Sequence, residues 1–138
     1  MTLDSFHTVM ARKQDGFEWT YMQNKRNIGN EYERIAGKYL EKHGYQIIEY
    51  NFYSRHGEID IIAKHEGYLV FVEVKYRKDD STGSPLDAVT VQKQRAISKC
   101  AMYYMNRNRL QDAAVRFDVI GIQGNEVALV QNAFDFVI

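Results

Sequence analysis

Residues 57–77, with the sequence GEIDIIAKHEGYLVFVEVKYR, decide the fold of this chain. Two runs of mostly apolar residues, each with a side-chain period of two, predict two β-strands joined by a tight turn. The turn is either the two-residue Glu66-Gly67 or a four-residue loop from His65 to Tyr68. With either connection, the predicted hairpin places Asp60 directly opposite Glu73.

Two facing carboxylates in mostly apolar strands are unfavourable, because like charges repel across a strand pair and neither would be well solvated. A divalent cation resolves the conflict, since hard cations such as Mg²⁺ take carboxylate oxygens as ligands. Lys75 shares the face of Glu73 and would reach a phosphate or an attacking water. The alternative is a Glu73–Lys75 surface pair. The apolar residues 69–72 and Val74 favour a buried strand, and therefore a metal site.

The composition is that of an ordinary soluble domain, with 138 residues, 45% of them apolar and 26% charged. Residues 1–24 lack a clear period, so we predict an N-terminal extension followed by a single globular domain over residues 25–138. Lys plus Arg equals Asp plus Glu at 18 each, which gives a net charge of zero. Any affinity for nucleic acid must therefore come from local clustering of charge.

The cellular setting is predicted from what the sequence lacks. The single cysteine, Cys100, excludes an intrachain disulfide and is typical of the reducing cytoplasm. No apolar run approaches the ~20 residues that span a membrane, and the N-terminus lacks the apolar region of a signal peptide. We expect a soluble, cytoplasmic protein without membrane contact.

A helix is predicted from about Asn27 to His43, and it carries an acidic residue beside its apolar stripe. Glu33 lies there, with Gly29 and Gly37 one turn away on either side. Glycine costs roughly 1 kcal/mol against alanine inside a helix, so the pair suggests close approach by backbone, metal or ligand. A solvated Glu33 on the helix flank is the alternative.

The remaining periodic segments predict three strands and a second helix. The strands are expected at residues 46–53, 115–122 and 126–131, and the helix from Leu86 or Thr90 to Asn106. Lys93 lies on the apolar stripe of that helix, so it either extends out to solvent or faces a polar site, and we favour the site.

Two further groups of charged residues leave their roles open. Arg55 and His56 precede the acidic strand, where they either hold a phosphate backbone or are simply exposed turn residues. Arg116 and Asp118 share one face of the strand at residues 115–122. They either pair with each other or extend the basic rim of the site.

Glu33 on the first helix, Asp60 on the second strand and Glu73-x-Lys75 on the third resemble the PD-(D/E)XK nuclease superfamily. More closely, the chain resembles the small bacterial YraN family of predicted endonucleases, which is related in pattern to Holliday-junction resolvases. The resemblance covers about residues 25–134. Its matching segments are Gly29-x-x-x-Glu33-x-x-Ala36, Tyr39-Leu40, Gly44-Tyr45, Asn51, Gly57-Glu58-Ile59-Asp60, Phe71-Val72-Glu73-Val74-Lys75-x-Arg77, Lys93 and Arg116-Phe117-Asp118-Val119.

The resemblance implies an α/β fold of the α+β type, with a restriction-endonuclease-like core in the order α-β-β-β-α-β-β and a central mixed sheet flanked by helices. It also implies a site for Mg²⁺ or Mn²⁺ held by Asp60, Glu73, the carbonyl of Val74 and Glu33. Lys75 would orient or deprotonate the attacking water. The residues implied to contact phosphates are Arg55, Arg77, Lys93 and Arg116.

The function implied is that of a metal-dependent endonuclease that hydrolyses phosphodiester bonds of DNA. Nothing in the sequence is aimed at base edges, so we expect selection of structure, such as branched, nicked or single-stranded ends. RNA stays open as a substrate. The alternatives are a catalytically silent nucleic-acid-binding module acting with a protein partner, and a structural or interaction protein. A homodimer and a partner that delivers the substrate are further hypotheses.

Overall fold

The computed structural model describes residues 18–77 and 83–138, and of residues 18–29 only the backbone. Five strands form one mixed sheet, which confirms the predicted α+β class and the order α-β-β-β-α-β-β. Neither helix in these ranges is long and apolar enough to span a membrane. The elements are helix α1 (Glu18–Lys42), strands β1 (Gln46–Ser54), β2 (Gly57–His65) and β3 (Tyr68–Arg77), a short 3-10 helix (Pro85–Ala88), helix α2 (Val91–Arg107), and strands β4 (Val115–Gln123) and β5 (Glu126–Phe134).

The strands lie in sequence order across the sheet, β1-β2-β3-β4-β5. Strands β3 and β4 are parallel, with helix α2 as their crossover, and the other neighbouring pairs are antiparallel. This single parallel pair makes the sheet mixed and buries β3 at its centre. The acidic position of β3, Glu73, is therefore 5% exposed.

The β2–β3 hairpin has the predicted two-residue turn. His65 pairs with Tyr68, and the turn residues Glu66 and Gly67 have φ of 51° and 85°. Two successive positive φ values match the twist of the flanking strands. The ladder ends at Ile61 and Val72, one position before the predicted Asp60–Glu73 pair. The side chains of Asp60 and Glu73 still interact, through a hydrogen bond and the repulsion of their charges.

Three boundaries differ from the predictions. Helix α1 begins at Glu18 rather than near Asn27, because its first two turns carry no apolar stripe that the sequence could reveal. The division of the chain at residue 25 stays a prediction, although α1 runs across it. The second helical region begins as the 3-10 helix and restarts at Thr90, whose side chain caps α2 by accepting from the Lys93 N–H. Strand β5 continues to Phe134.

The sheet is covered on both faces. Leu40, Ile61 and Val72 belong to the core under α1, whereas Ile62, Phe71 and Ile97 belong to the core under α2.

Strict alternation along β2 would place Ile59 with Ile61, yet Ile59 packs in the core of Ile62. The neighbouring strand is also irregular there, since Asn51 has φ of 54°. The regular pleat of β2 therefore ends next to Asp60.

Gly37 explains the close approach that the sequence predicted around Glu33. A Cβ at Gly37 would overlap the hydroxyl oxygen of Tyr50 and lie 2.9 Å from its Cζ. The glycine thus lets α1 pack on a tyrosine of β1. The neighbour is a side chain of the protein, not a ligand.

Candidate metal centre

Three carboxylates meet at the end of the sheet where β2 leaves the ladder with β3. Glu33 comes from α1, and Glu58 and Asp60 come from β2. One oxygen from each of the three lies within 4.8 Å of the other two. We call Glu33, Glu58 and Asp60 the acidic cluster.

Glu33 is 9% exposed, and its Oε2 is buried without a hydrogen-bond partner among the residues that the structure describes. Burial raises the pKa of this carboxyl from 4.5 to about 7, and the negative charges of Glu58 and Glu73 act in the same direction. A hydrogen bond with Asn51 opposes the shift. A buried acceptor with no donor costs free energy, so Glu33 lies where a cation would be favoured.

The Asp60 carboxylate accepts a hydrogen bond from the backbone of Val74 and lies next to a second carboxylate, that of Glu73. The backbone N–H of Val74 donates to Asp60 Oδ2 at 2.8 Å, which fixes the carboxylate against β3. Burial and then the hydrogen bond and charge of Glu73 raise the pKa of Asp60 well above its ordinary value. Two carboxylates in contact resist ionising together unless a cation joins them.

Glu73 connects the acidic residues to two lysines. Its Oε2 lies 3.4 Å from Lys93 Nζ of α2 and 3.6 Å from Lys75 Nζ of β3. Both amino groups are partly exposed, whereas the Glu73 side chain is buried. Lys93, which the helical pattern placed on the apolar stripe, therefore faces the polar site.

The donor set fits a hard divalent cation. Three carboxylates converge, one of their oxygens is buried without a donor, and no zinc-type ligand such as histidine or cysteine belongs to the cluster. Oxygen-only ligands suit Mg²⁺ or Mn²⁺. Sequence reasoning did not include Glu58 as a ligand, although the period of two already put it on the face of Asp60.

The part of the chain that contains the candidate metal centre is similar in sequence to known proteins. The model of the uncharacterised protein family UPF0102 matches residues 32–122, more than half of the chain. The chain belongs to the UPF0102 family. The matched region contains the whole acidic cluster together with Glu73, Lys75 and Lys93. This assignment agrees with the resemblance to the YraN family, while membership of the nuclease superfamily stays a prediction.

Individual UPF0102 proteins align over most of this chain. One from Lachnoclostridium phytofermentans is 49% identical over 113 residues, which cover 81% of this chain and 96% of that protein. One from Pelobacter propionicus is 47% identical over 112 residues, covering 80% of each. One from Aliivibrio fischeri is 43% identical over 115 residues, covering 80% of this chain and 94% of its own.

The resemblance also implied site roles for Arg77, Arg55 and the carbonyl of Val74, and the structure places these groups as follows. The Arg77 guanidinium donates to the backbone carbonyls of Gly83 and Ser84, at 3.2 and 2.9 Å, and so holds these two residues against the end of β3. Arg55 is exposed beside His56 in the β1–β2 turn. Val74 contributes its N–H to Asp60, and the role predicted for its carbonyl stays a prediction.

Arg116 and Asp118 pair with each other, which settles the alternative that the sequence left open. Arg116 donates to both oxygens of Asp118 at 2.9 Å, and both side chains are buried. Arg116 also contacts His65 and the hydroxyl of Tyr45, and Gln131 donates to that hydroxyl. We call these five residues the Arg116 network. It lies under the α1 face at the turn end of the hairpin, away from the acidic cluster.

Proposed function

We propose that this UPF0102 protein is a metal-dependent endonuclease that hydrolyses phosphodiester bonds of DNA. The observation that carries the proposal is the acidic cluster with its buried, partnerless Glu33 Oε2 beside two lysines. Carboxylates next to a lysine suit hydrolysis of a phosphodiester, because that reaction needs charge neutralised at the phosphate and a water activated for attack.

In this proposal Glu33, Glu58 and Asp60 hold a Mg²⁺ or Mn²⁺ ion, and Glu73 is close enough to Asp60 to serve as a further ligand. The ion, when bound, neutralises charge at the phosphate and lowers the pKa of a water. The Val74 N–H keeps Asp60 aimed toward the cluster. This preorganisation limits the reorganisation needed when substrate arrives.

Lys75 is the residue proposed to orient or deprotonate the attacking water. Glu73 fixes its position through the 3.6 Å contact, and Lys93 shares the same carboxylate oxygen at 3.4 Å. Lys93 is the more exposed of the two and is therefore proposed to contact a phosphate of the substrate, together with Arg55. Such contacts position the backbone and carry no sequence information, which favours selection of branched, nicked or single-stranded DNA.

The first test is titration with Mn²⁺ by calorimetry on the wild type, on Asp60→Asn and on Asp112→Asn, a matched control at an exposed position. We expect binding by the wild type and the control but not by Asp60→Asn. Cleavage of branched, nicked and single-stranded DNA in Mg²⁺ should follow the same order. If none of the three proteins binds Mn²⁺ either alone or with branched DNA, the proposed metal centre is wrong.

A catalytically silent DNA-binding module that acts with a protein partner is the second candidate. Arg77 and Arg116 were both predicted to contact phosphates, but their guanidinium groups bind other groups of the chain. Fewer phosphate contacts favour this second candidate. The net charge of zero points the same way, since little non-specific affinity for DNA is expected. Binding of branched DNA with no cleavage in Mg²⁺ or Mn²⁺ would establish this candidate over the nuclease.

A further inference from the structure

We propose that a groove at the β2–β3 turn binds a peptide segment of a partner protein through one peptide group and an adjoining apolar side chain. The groove has a volume of about 480 Å³ and lies at the opposite end of the hairpin from the acidic cluster. It is independent of the nuclease proposal. The residues that matter for the argument are Gly44, His65, Glu66, Leu69, Leu110 and Ala113, all of which line it.

The groove contains a buried histidine whose tautomer is fixed. His65 is 7% exposed, and its Nδ1 lies 2.9 Å from Arg116 Nη2. An arginine only donates, and its two Nη2 hydrogens are shared among His65 Nδ1, Asp118 Oδ2 and the Tyr45 hydroxyl, so Nδ1 is assigned as an acceptor. The neutral imidazole then carries its proton on Nε2. This ring nitrogen is therefore a hydrogen-bond donor, not a base or a metal ligand.

The Nε2–H of His65 faces the groove and has no acceptor within the described part of the chain. Its nearest acidic neighbour, Glu66 Oε1, lies 3.8 Å away, which is beyond hydrogen-bond distance. A Cβ added at Gly44 would be 3.9 Å from Nε2, so the glycine leaves this edge of the ring open. Because Nε2 is not closed off from solvent, water in the groove can accept from it, and a ligand that brings an acceptor oxygen would replace that water.

The donor is held rigidly. The His65 ring stacks on Tyr45 with centroids 4.0 Å apart and an interplanar angle of 9°. Arg116, which anchors Nδ1, is itself held by both oxygens of Asp118. Because the donor is already ordered in the free protein, a ligand loses little conformational entropy of the His65 side chain on binding.

A peptide group is complementary to His65 Nε2–H and the Glu66 carboxylate, which are the donor and the acceptor at the groove. Its carbonyl oxygen would accept from His65 Nε2–H, and its N–H would donate to the exposed Glu66 carboxylate nearby. Leu69, Leu110 and Ala113 supply an apolar wall for a side chain. The exposed Lys64 and Glu66 both line the groove, so their opposite charges offset each other and the groove has no excess positive charge that would select an anion. An apolar residue within a neutral peptide backbone is therefore the ligand class that fits.

The proposal can be tested by NMR on the full chain, with N-acetyl-leucine N′-methylamide as the probe. Long-range ¹H–¹⁵N spectra of His65 should first show the Nε2–H tautomer. Titration should then shift the His65 ring and the amides of Leu69 and Ala113 with a dissociation constant in the millimolar range. N-acetyl-glycine N′-methylamide should bind more weakly, because it lacks the apolar side chain.

Two variants locate the binding. Leu110→Glu and Glu66→Asn should each weaken it by about fivefold or more, corresponding to about 1 kcal/mol. Asn tolerates the positive φ of residue 66. Met102→Glu, an exposed apolar position on α2 outside the groove, should leave binding unchanged.

Three results would overturn the proposal. The first is an Nδ1–H tautomer of His65. The second is the absence of saturable shifts up to the solubility limit of the probe, which would mean that only water meets the Nε2–H. The third is tighter binding of N-acetyl-leucine with a free carboxylate than of its methylamide, which would indicate an anion site.

Discussion

The acidic cluster and the Arg116 network are two buried polar groups in one small domain, and they differ in how their charges are compensated. In the Arg116 network, Asp118 accepts from Arg116, Tyr45 and the backbone N–H of Asn132. Burial and the Asp118 contact raise the pKa of Tyr45 to about 12, which keeps its hydroxyl protonated as a donor. Apart from His65 Nε2, which opens onto the groove, these polar groups are satisfied within the chain.

The acidic cluster has the opposite character. It gathers carboxylates, one of its oxygens has no donor, and burial raises the pKa values of both Glu33 and Asp60. A polar group that serves stability is completed by the chain itself, whereas one that serves binding is left to be completed by a ligand. The comparison predicts that removing a charge from the Arg116 network lowers the free energy of unfolding, whereas a cation bound at the acidic cluster raises it.

The largest effect is expected from Asp118→Ala in the Arg116 network. This change leaves the Arg116 guanidinium buried without its carboxylate, which should lower the free energy of unfolding by about 3–5 kcal/mol. Urea denaturation measures the loss. Asp112→Ala, at an exposed position, should stay within about 0.5 kcal/mol of the wild type. A loss below about 1 kcal/mol for Asp118→Ala would mean that the network is not a stabilising unit.

Added Mn²⁺ should stabilise the protein through the acidic cluster alone. A ligand that binds only the folded state raises the free energy of unfolding by about 2.7 kcal/mol at a hundred times its dissociation constant. Thermal denaturation with and without Mn²⁺ should give this increment for the wild type and for Asp118→Asn. Glu58→Gln and Asp60→Asn should lose it. An increment retained in both cluster variants would place the ion elsewhere.

The metal-free protein should lose stability as the pH rises through the range in which Glu33 ionises. The pKa of Glu33 is about 7 in the folded state against 4.5 for the ordinary group, so the folded state binds more protons between these values. Stability is then complete below about pH 4.5 and falls as the pH approaches 7. Glu33→Gln should flatten this dependence, as measured by urea denaturation from pH 4.5 to 7.5. An equal slope in wild type and variant would contradict the raised pKa.

The pairing of Asp60 with Glu73 could be predicted from the sequence because it depends on local rules. The strand period and the two-residue turn fix the register of the hairpin, and that register brings the two acids together. Lys93 could be predicted as well, since helical spacing put a charged residue on an apolar stripe.

The burial of Arg116 could not be predicted in the same way. Its partners Tyr45 and His65, and Gln131, which donates to Tyr45, lie far apart in the chain, and only the packed fold brings them together. The role of Glu58 was missed for a related reason. The strand period already placed Glu58 on the face of Asp60, but its role as a ligand depends on where α1 places Glu33, and that position leaves no periodic signal in the sequence.

The smallest effects are expected at Lys75 and Lys93, the two lysines that pair with Glu73 beside the acidic cluster. Lys93→Met and Lys75→Met should each change the free energy of unfolding by less than about 1 kcal/mol, because both ion pairs are partly exposed. The double variant should cost more than the sum of the two, since Glu73 would then be buried without either cation. Urea denaturation of the four proteins gives this coupling energy. Strict additivity would mean that the lysines act independently of Glu73, and Lys99→Met, at an exposed position of the same helix, is the matched control.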